Sequence, residues 1–203
     1  MTLERQQAPL VPRQLRSLQQ LLTRAREANG QTLAICFNLH CPTNITVQAM
    51  LAQGNGLISL FWKHLYSQFL HSTISVYPDL RFAWCREDDP ETGQVTYRVL
   101  ALLHARAFRE AIPVAAEHQD LPQTQSLAGC IVRAWGEALQ LPHPPPPQIV
   151  SFPIDPSTGQ AFEMHLDARD ATAWDHLYTF TSALCRNDAK AGHGLRVFQT
   201  SMR

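Results

Sequence analysis

Nine histidines and five cysteines in 203 residues offer material for metal ligation, general-base catalysis or thiol chemistry, so their spacing has to be weighed first. The cysteines (Cys36, Cys41, Cys85, Cys130, Cys185) are scattered and odd in number, with no Cys-x-x-Cys pair. That pattern speaks against a zinc knuckle and against a disulfide framework, and reduced, buried thiols are expected. Cys41 beside His40 would be a nucleophile with its base, but neighbours along a strand point to opposite faces, which favours a buried thiol. His40, Glu87 and His104 fall near expected strand ends and are the alternative from which a divalent-metal site would be built, although nine histidines offer many chance groupings and ordinary polar or partly buried side chains, with no metal, are the expectation. The sequence has no Gly-rich phosphate loop, no Gly-x-Ser-x-Gly elbow and no His-Glu-x-x-His helix. The aromatic run Phe61, Trp62, Tyr66 and Phe69 has the flat surfaces of a base-stacking or partner face, although core packing is the expectation.

These residues must be held by regular elements. Leu15, Leu18, Leu21, Leu22 and Ala25 recur at helical spacing from about Arg13, and Asn29-Gly30 ends the helix. Thr32 to Leu39 is a short apolar run, as a buried strand requires, and Cys41-Pro42 closes it. A helix over Leu57 to Leu70 follows. Strands over Leu80 to Glu87 and Gln94 to Leu103 are expected to pair as a hairpin across Asp88-Asp-Pro-Glu-Thr-Gly93. Leu127, Cys130, Ile131, Ala134, Trp135 and Ala138 mark one face of a helix from about Gln123 to Leu139. Pro144 to Pro147 forbids helix and predicts a rigid connector, with a ligand for a proline-recognising domain as the alternative. A second hairpin is expected, Gln148 to Phe152 returning through Ala161 to Leu166 about a turn at Asp155 to Gly159, and then a helix from Ala168 to Arg186 capped by Asp167.

The order of elements predicts an α+β fold: an antiparallel sheet of about five strands with helices packed mainly on one face. One domain over residues 13–203 is expected, preceded by a flexible segment over 1–12. Apolar runs such as Leu57 to Trp62 end far short of the roughly 20 residues of a membrane span, so no membrane association and a cytoplasmic location are expected. Hydrophobic residues make up 45% of the chain and charged residues 17%, which excludes disorder as the main state. The formal net charge is zero, an awkward balance for a protein that grips phosphates. Charge is nevertheless segregated, with +3 in residues 1–30, +3 in residues 184–203 and −6 between them. Two readings follow: a basic patch if the ends meet, or a solvated, uncorrelated distribution.

Several strings, in order, resemble the inovirus-type replication initiator family, also described as the YagK/YfjJ C-terminal domain family, from about residue 15 onward. Phe37-Asn-Leu-His-Cys-Pro42 is similar to its Asp-Leu-His-x-Pro strand end. Leu80-Arg-Phe-Ala-Trp-Cys-Arg-Glu87 is similar to its Leu-Arg-Tyr-x-Trp-x-Arg-Glu strand. Ala134-Trp135 with Leu139, Ile149-Val-Ser-Phe-Pro153, and Gly194-Leu-Arg-Val-Phe198 with Ser201 follow in sequence. The resemblance implies a sandwich like those of the HUH endonucleases and RNA-recognition domains. It also implies rolling-circle chemistry, in which a His-x-His pair presents a divalent metal to the scissile phosphate and a helix tyrosine forms the covalent link.

The motif positions of that family fall on other residue types in this chain. Its His-x-His-Val-x-Leu-Leu-Leu-Asn string lies over Thr96-Tyr-Arg-Val-Leu-Ala-Leu-Leu-His104, so the ligand positions are Thr96 and Arg98. Its Leu-Ser-Tyr-Leu-Ala-Lys lies over Thr181-Ser-Ala-Leu-Cys-Arg186, so the nucleophile position is Ala183 and the basic position is Arg186. A guanidinium has no lone pair to offer a cation and repels it. Asn38 stands where the family has an aspartate. Tyr178 precedes Ala183 by five residues, about 140° around an ideal helix, and Tyr97 points away from Thr96 and Arg98. The resulting expectation is a catalytically degenerate, non-catalytic binding protein of phage or mobile-element origin, directed at a protein or ribonucleoprotein partner as a replication accessory or an inhibitor of nucleic-acid-targeting defence. Two alternatives stand beside it. One is an active, divalent-metal-dependent nicking enzyme with a rearranged site, the one case that needs a cofactor. The other is a DNA- or RNA-binding subunit that uses Arg86, Arg98, Arg186, Lys190 and Arg196.

Overall fold

The computed structural model of the chain describes residues 9–43, 54–71, 76–89, 91–108, 126–186 and 197–202. Helix α1 (Pro12–Ala28) opens on a proline at its first position and closes before Asn29, whose N–H still reaches the Ala25 carbonyl. Strand β1 (Gln31–His40) follows, then α2 (Gly56–His71), β2 (Arg81–Asp88), β3 (Val95–His104), α3 (Leu127–Ala138), β4 (Val150–Ser151), β5 (Glu163–Asp167), α4 (Ala171–Thr181) and β6 (Phe198–Thr200). The fold is α+β, and its sheet is antiparallel with six strands in the order β4-β1-β3-β2-β6, β5 also pairing with β1.

Two expectations are corrected here. Among the described residues helices cover both faces of the sheet, α2 and α3 on one and α1 and α4 on the other. The odd-numbered side chains of β1 (Leu33, Ile35, Phe37, Leu39) pack under α2 and α3. The even-numbered Ala34 and Cys36, with Leu100 and Leu102 of β3, pack under α1 and α4. Central strands that are apolar on both sides cannot leave either face to water, which is why one helical layer is not enough. The second correction concerns the later hairpin. Apart from the single bridge Ile154↔Ala161, β4 and β5 do not pair with each other. Both lie along the same edge of β1, β4 opposite Asn38 and Leu39 and β5 opposite Gln31 to Ile35. The turn between them is held by Asp155, which accepts from Ser157 N at 2.8 Å while its own carbonyl accepts from Gly159 N at 2.8 Å.

The first hairpin forms as expected, β2 and β3 in register from Arg81↔Leu102 to Asp88↔Val95. Ser126 caps α3 by accepting from Gly129 N at 3.1 Å; residues 109–125, which include the expected start of this helix, lie outside the described residues. α4 is shorter than expected. Its cap is Asp170, which accepts from Ala173 N at 3.0 Å, and it gives way to a 3-10 turn over Ser182–Cys185. Of the segment 1–12, Leu10 already bridges Arg186 and Pro12 is helical, so the domain reaches back at least to Leu10. The proline-rich connector packs on α3: Gly136 sits where any Cβ would come within 2.7 Å of Pro145. The aromatic residues of α2 are core, with Phe61 edge-on to Phe37 and Trp135, and Trp62 stacked on Phe82 at 3.9 Å. Among the described residues no helix is long and apolar enough to cross a membrane.

Candidate functional site

The face of the sheet under α1 and α4 changes character along its strands. Moving down β1, the side chains on this face run Ala34, Cys36, Asn38, His40; β3 answers with Leu102, Leu100, Arg98, Thr96, and β2 with Ala83, Cys85, Glu87. The upper positions belong to the apolar core, and the polar side chains gather on the last two rungs, where Cys85 alone still belongs to the core. Register fixes their order across the sheet: Ser151, Asn38, Arg98 and Cys85 on one rung, His40, Thr96 and Glu87 on the next.

Hydrogen bonds join these groups. His40 Nε2 lies 2.8 Å from Ser151 Oγ and His40 Nδ1 lies 3.3 Å from Thr96 Oγ1, while Asn38 Nδ2 donates to Ser151 Oγ at 3.2 Å. Arg98 donates to Glu87 Oε1 at 3.1 Å. Partial burial holds the His40 pKa below the ordinary histidine value. Burial disfavours the Arg98 cation, yet Glu87 and the thiols of Cys85 and Cys36 outweigh it and raise its pKa. The backbone beneath is pinned from the other face, where Trp135 Nε1 donates to the His40 carbonyl at 3.0 Å.

Of the positions singled out by the family resemblance, Thr96 and Arg98 lie on this face. Thr96 and Arg98 project from β3, and Ala183 lies in the turn after α4, whose Leu184 and Cys185 pack into the same core as Cys85. Ala183 is not on α4 itself, so the helical angle between it and Tyr178 does not apply. Tyr97 is fully buried on the opposite face, edge-on to Trp84 and Trp135, and burial raises its hydroxyl pKa. Neither its hydroxyl nor the adjacent Arg86 Nη1 meets hydrogen-bond geometry, although the two groups are close enough to feel each other's field.

The structure separates several groups that the sequence suggested together. Arg86 is 5% exposed, faces the α2 and α3 side beside Tyr97, and pairs with Asp88 at 2.9 Å, so it cannot share a phosphate-binding surface with Arg98. Alternation along β2 dictates this, because Arg86 and Glu87 must face opposite ways. The metal set His40, Glu87 and His104 is likewise broken. His40 and Glu87 flank Thr96, but His104 pairs with Thr32 at the far end of β3, about 27 Å away at strand rise. Lys190 and Arg196 lie outside the described residues. Arg186 ends the turn after α4 and bridges Leu10.

The donor chemistry at the polar end does not suit a divalent metal held in the family manner. It comprises one imidazole, one carboxylate engaged by a guanidinium, two hydroxyls and an amide. Among the described residues no three His, Cys, Asp or Glu side chains converge as a metal site. The His40–Ser151 contact resembles a hydroxyl nucleophile with its base, but the group on the other imidazole nitrogen is Thr96, which cannot stabilise an imidazolium as a carboxylate does. The Cys41 thiol is buried, with its pKa pushed up to about 12, and does not join His40. Ser151 was not legible as a site residue, because nothing in the sequence says that the strand after the proline run docks beside Asn38.

The chain matches no protein-family model, no curated protein and no solved structure.

Proposed function

We propose that this chain is a non-catalytic binding protein of phage or mobile-element origin, built on a scaffold like that of rolling-circle replication initiators and directed at a protein or ribonucleoprotein partner. A replication accessory and an inhibitor of host nucleic-acid-targeting defence are the two roles such a partner implies. One observation carries the reading. At the positions where the resemblance places metal ligands, Arg98 is engaged with Glu87 and Thr96 contacts His40, so cation-repelling and neutral groups occupy the place of ligands. A metal-dependent displacement at phosphorus needs donors free to bind the metal and an accessible nucleophile. Zero net charge further favours a protein surface over naked nucleic acid.

The test is incubation with circular single-stranded DNA and supercoiled duplex DNA in the presence of Mg or Mn ions. The expected result is neither nicked product nor a covalent protein–DNA adduct. An adduct that disappears in a Tyr178→Phe variant would overturn the proposal in favour of a rearranged nicking enzyme.

A further inference from the structure

On the face under α2 and α3, the same end of the sheet carries a second group of polar side chains, and this one is buried. Leu39, Tyr97 and Arg86 share one rung, and Cys41, Val95 and Asp88 share the next. Tyr97 and Cys41 are fully buried and Arg86 is 5% exposed, while Asp88 keeps 30% of its side-chain exposure and is the member nearest solvent. The groups are close: Arg86 and Asp88 both act through their charge on the Tyr97 hydroxyl and on the Cys41 thiol. Arg86 and Tyr97 are nevertheless each held by something other than the other. The Arg86 fork grips Asp88, two residues further along β2, with Nε 2.9 Å from Oδ1 and Nη2 3.5 Å from Oδ2. The Tyr97 ring is held edge-on by Trp84 and Trp135, at 5.7 and 6.0 Å between centroids. Arg86 Nη1 and the Tyr97 hydroxyl are thus cross-strand neighbours that do not bond to each other, and neither has another partner among the described residues.

We infer that the Arg86 Nη1 and Tyr97 hydroxyl donors hold a water molecule between them, buried beneath α2 and α3. The count of protons calls for an acceptor. Arg86 Nη1 carries two N–H groups, Tyr97 an O–H and Cys41 a weak S–H, and both oxygens of Asp88 are already engaged by Nε and Nη2. Even a direct bond from Arg86 to the Tyr97 oxygen would leave the phenol proton without an acceptor, and a buried donor left unpaired is costly. Charge decides what the acceptor is. Asp88 already balances Arg86, so an anion between the donors would leave a net negative charge in a low-dielectric pocket, whereas a water brings none. A water also has two protons to return. The Tyr97 oxygen, the Cys41 sulfur and the Asp88 carboxylate are the acceptors at hand, and with them it finds the roughly two to four polar partners that an internal water needs. The site lies across the sheet from His40 and Arg98 and belongs to the scaffold, so it stands or falls independently of the binding-protein reading and of the nicking assay.

Oxygen magnetic relaxation dispersion, which counts internal waters of long residence without interference from proton exchange, tests this. The proteins compared are the natural chain, Tyr97→Phe, and Arg86→Met/Asp88→Asn, which removes the cation together with its counter-charge. Expected is the loss of the amplitude of one long-lived water in each variant, other internal waters being common to all three proteins. Tyr97→Phe removes a single oxygen from a ring that its aromatic neighbours hold, so it decides the outcome if the double variant does not fold. An unchanged amplitude in a cooperatively melting Tyr97→Phe variant would overturn the proposal in favour of a direct Tyr97–Arg86 hydrogen bond. Chloride relaxation showing a long-lived bound ion that the same variants lose would overturn it in favour of an anion site.

Discussion

Replacing Thr96 and Arg98 together by histidine asks whether these positions are where ligands would stand. The two side chains share a face and lie two residues apart, and His40 and Glu87 flank Thr96 on the neighbouring strands. In the natural chain a divalent ion at Thr96 would sit about 7 Å from the position of Arg98, at strand spacing. The repulsion is then about 1.2 kcal/mol at the dielectric of water and about 4.7 kcal/mol at the effective value of a protein interior. Arg98 and Glu87 retain 39% and 25% of their side-chain exposure, so the real penalty falls between these limits, on the order of a hundredfold in affinity. The double variant removes that repulsion, frees Glu87 and adds two imidazoles to His40. Losing the half-exposed Arg98–Glu87 pair costs about 1 kcal/mol of stability, which a folded domain tolerates. Titration calorimetry with Zn ions and the visible absorption of bound Co ions should show one site in the variant with a Kd on the order of micromolar, and far weaker binding in the natural chain. A variant that melts cooperatively yet binds no more metal than its parent would refute the assignment of Thr96 and Arg98 to ligand positions.

Three further outcomes follow from the geometry. Because burial lowers the His40 pKa in the folded state, the unfolded chain takes up a proton that the folded one refuses; stability is complete above the ordinary value of 6.5 and is lost as pH falls from there through the lowered value. Unfolding free energies from urea titrations across that window should fall for the natural chain, by at most about 1.4 kcal/mol per pH unit from this group, and fall less for His40→Gln. All five cysteines are buried, and burial pushes the Cys36 and Cys41 thiols up to about 12, so a thiol reagent should react slowly with the native protein and at five sites in denaturant. Rapid native labelling of any of them would contradict the packing. Gly136→Ala would gain helix propensity but place its Cβ 2.7 Å from Pro145 Cβ and 2.8 Å from its Cγ, so thermal melting should show a net loss of about 1–3 kcal/mol.

How much of this was legible varies with the range of the interaction. Helix α1, strand β1 and the β2–β3 hairpin follow from local signals: the apolar spacing from Leu15 to Ala25, the run from Leu33 to Leu39, and the turn residues before Gly93. Each lies within a residue or so of its expected bounds. Alternation alone placed Tyr97 away from Arg98 and Cys41 away from His40, since a period of two is a property of any strand. α4 was overextended because Asp167 and Asp170 are equally good caps in sequence; the choice is made by the turn after β5, where Asp167 accepts from Arg169 N at 2.8 Å.

What the sequence by itself determined was the α+β class, the identity of the polar residues along β1, β2 and β3, and the basic character of both ends. Tertiary structure decided which of them meet. Register put His40 and Glu87 on either side of Thr96 and sent His104 to the opposite end. The docking of β4 brought Ser151 to His40, and the packing of α1 brought Leu10 to Arg186 and Arg24 to the Ser201 carbonyl. The physical reason is that spacing along a chain fixes the direction of a side chain, but neighbours across a sheet are set by hydrophobic faces that must all be covered at once. In this chain both faces of the central strands needed cover, and that requirement brought α1 and α4 onto the apolar rungs of one face and α2 and α3 onto the other.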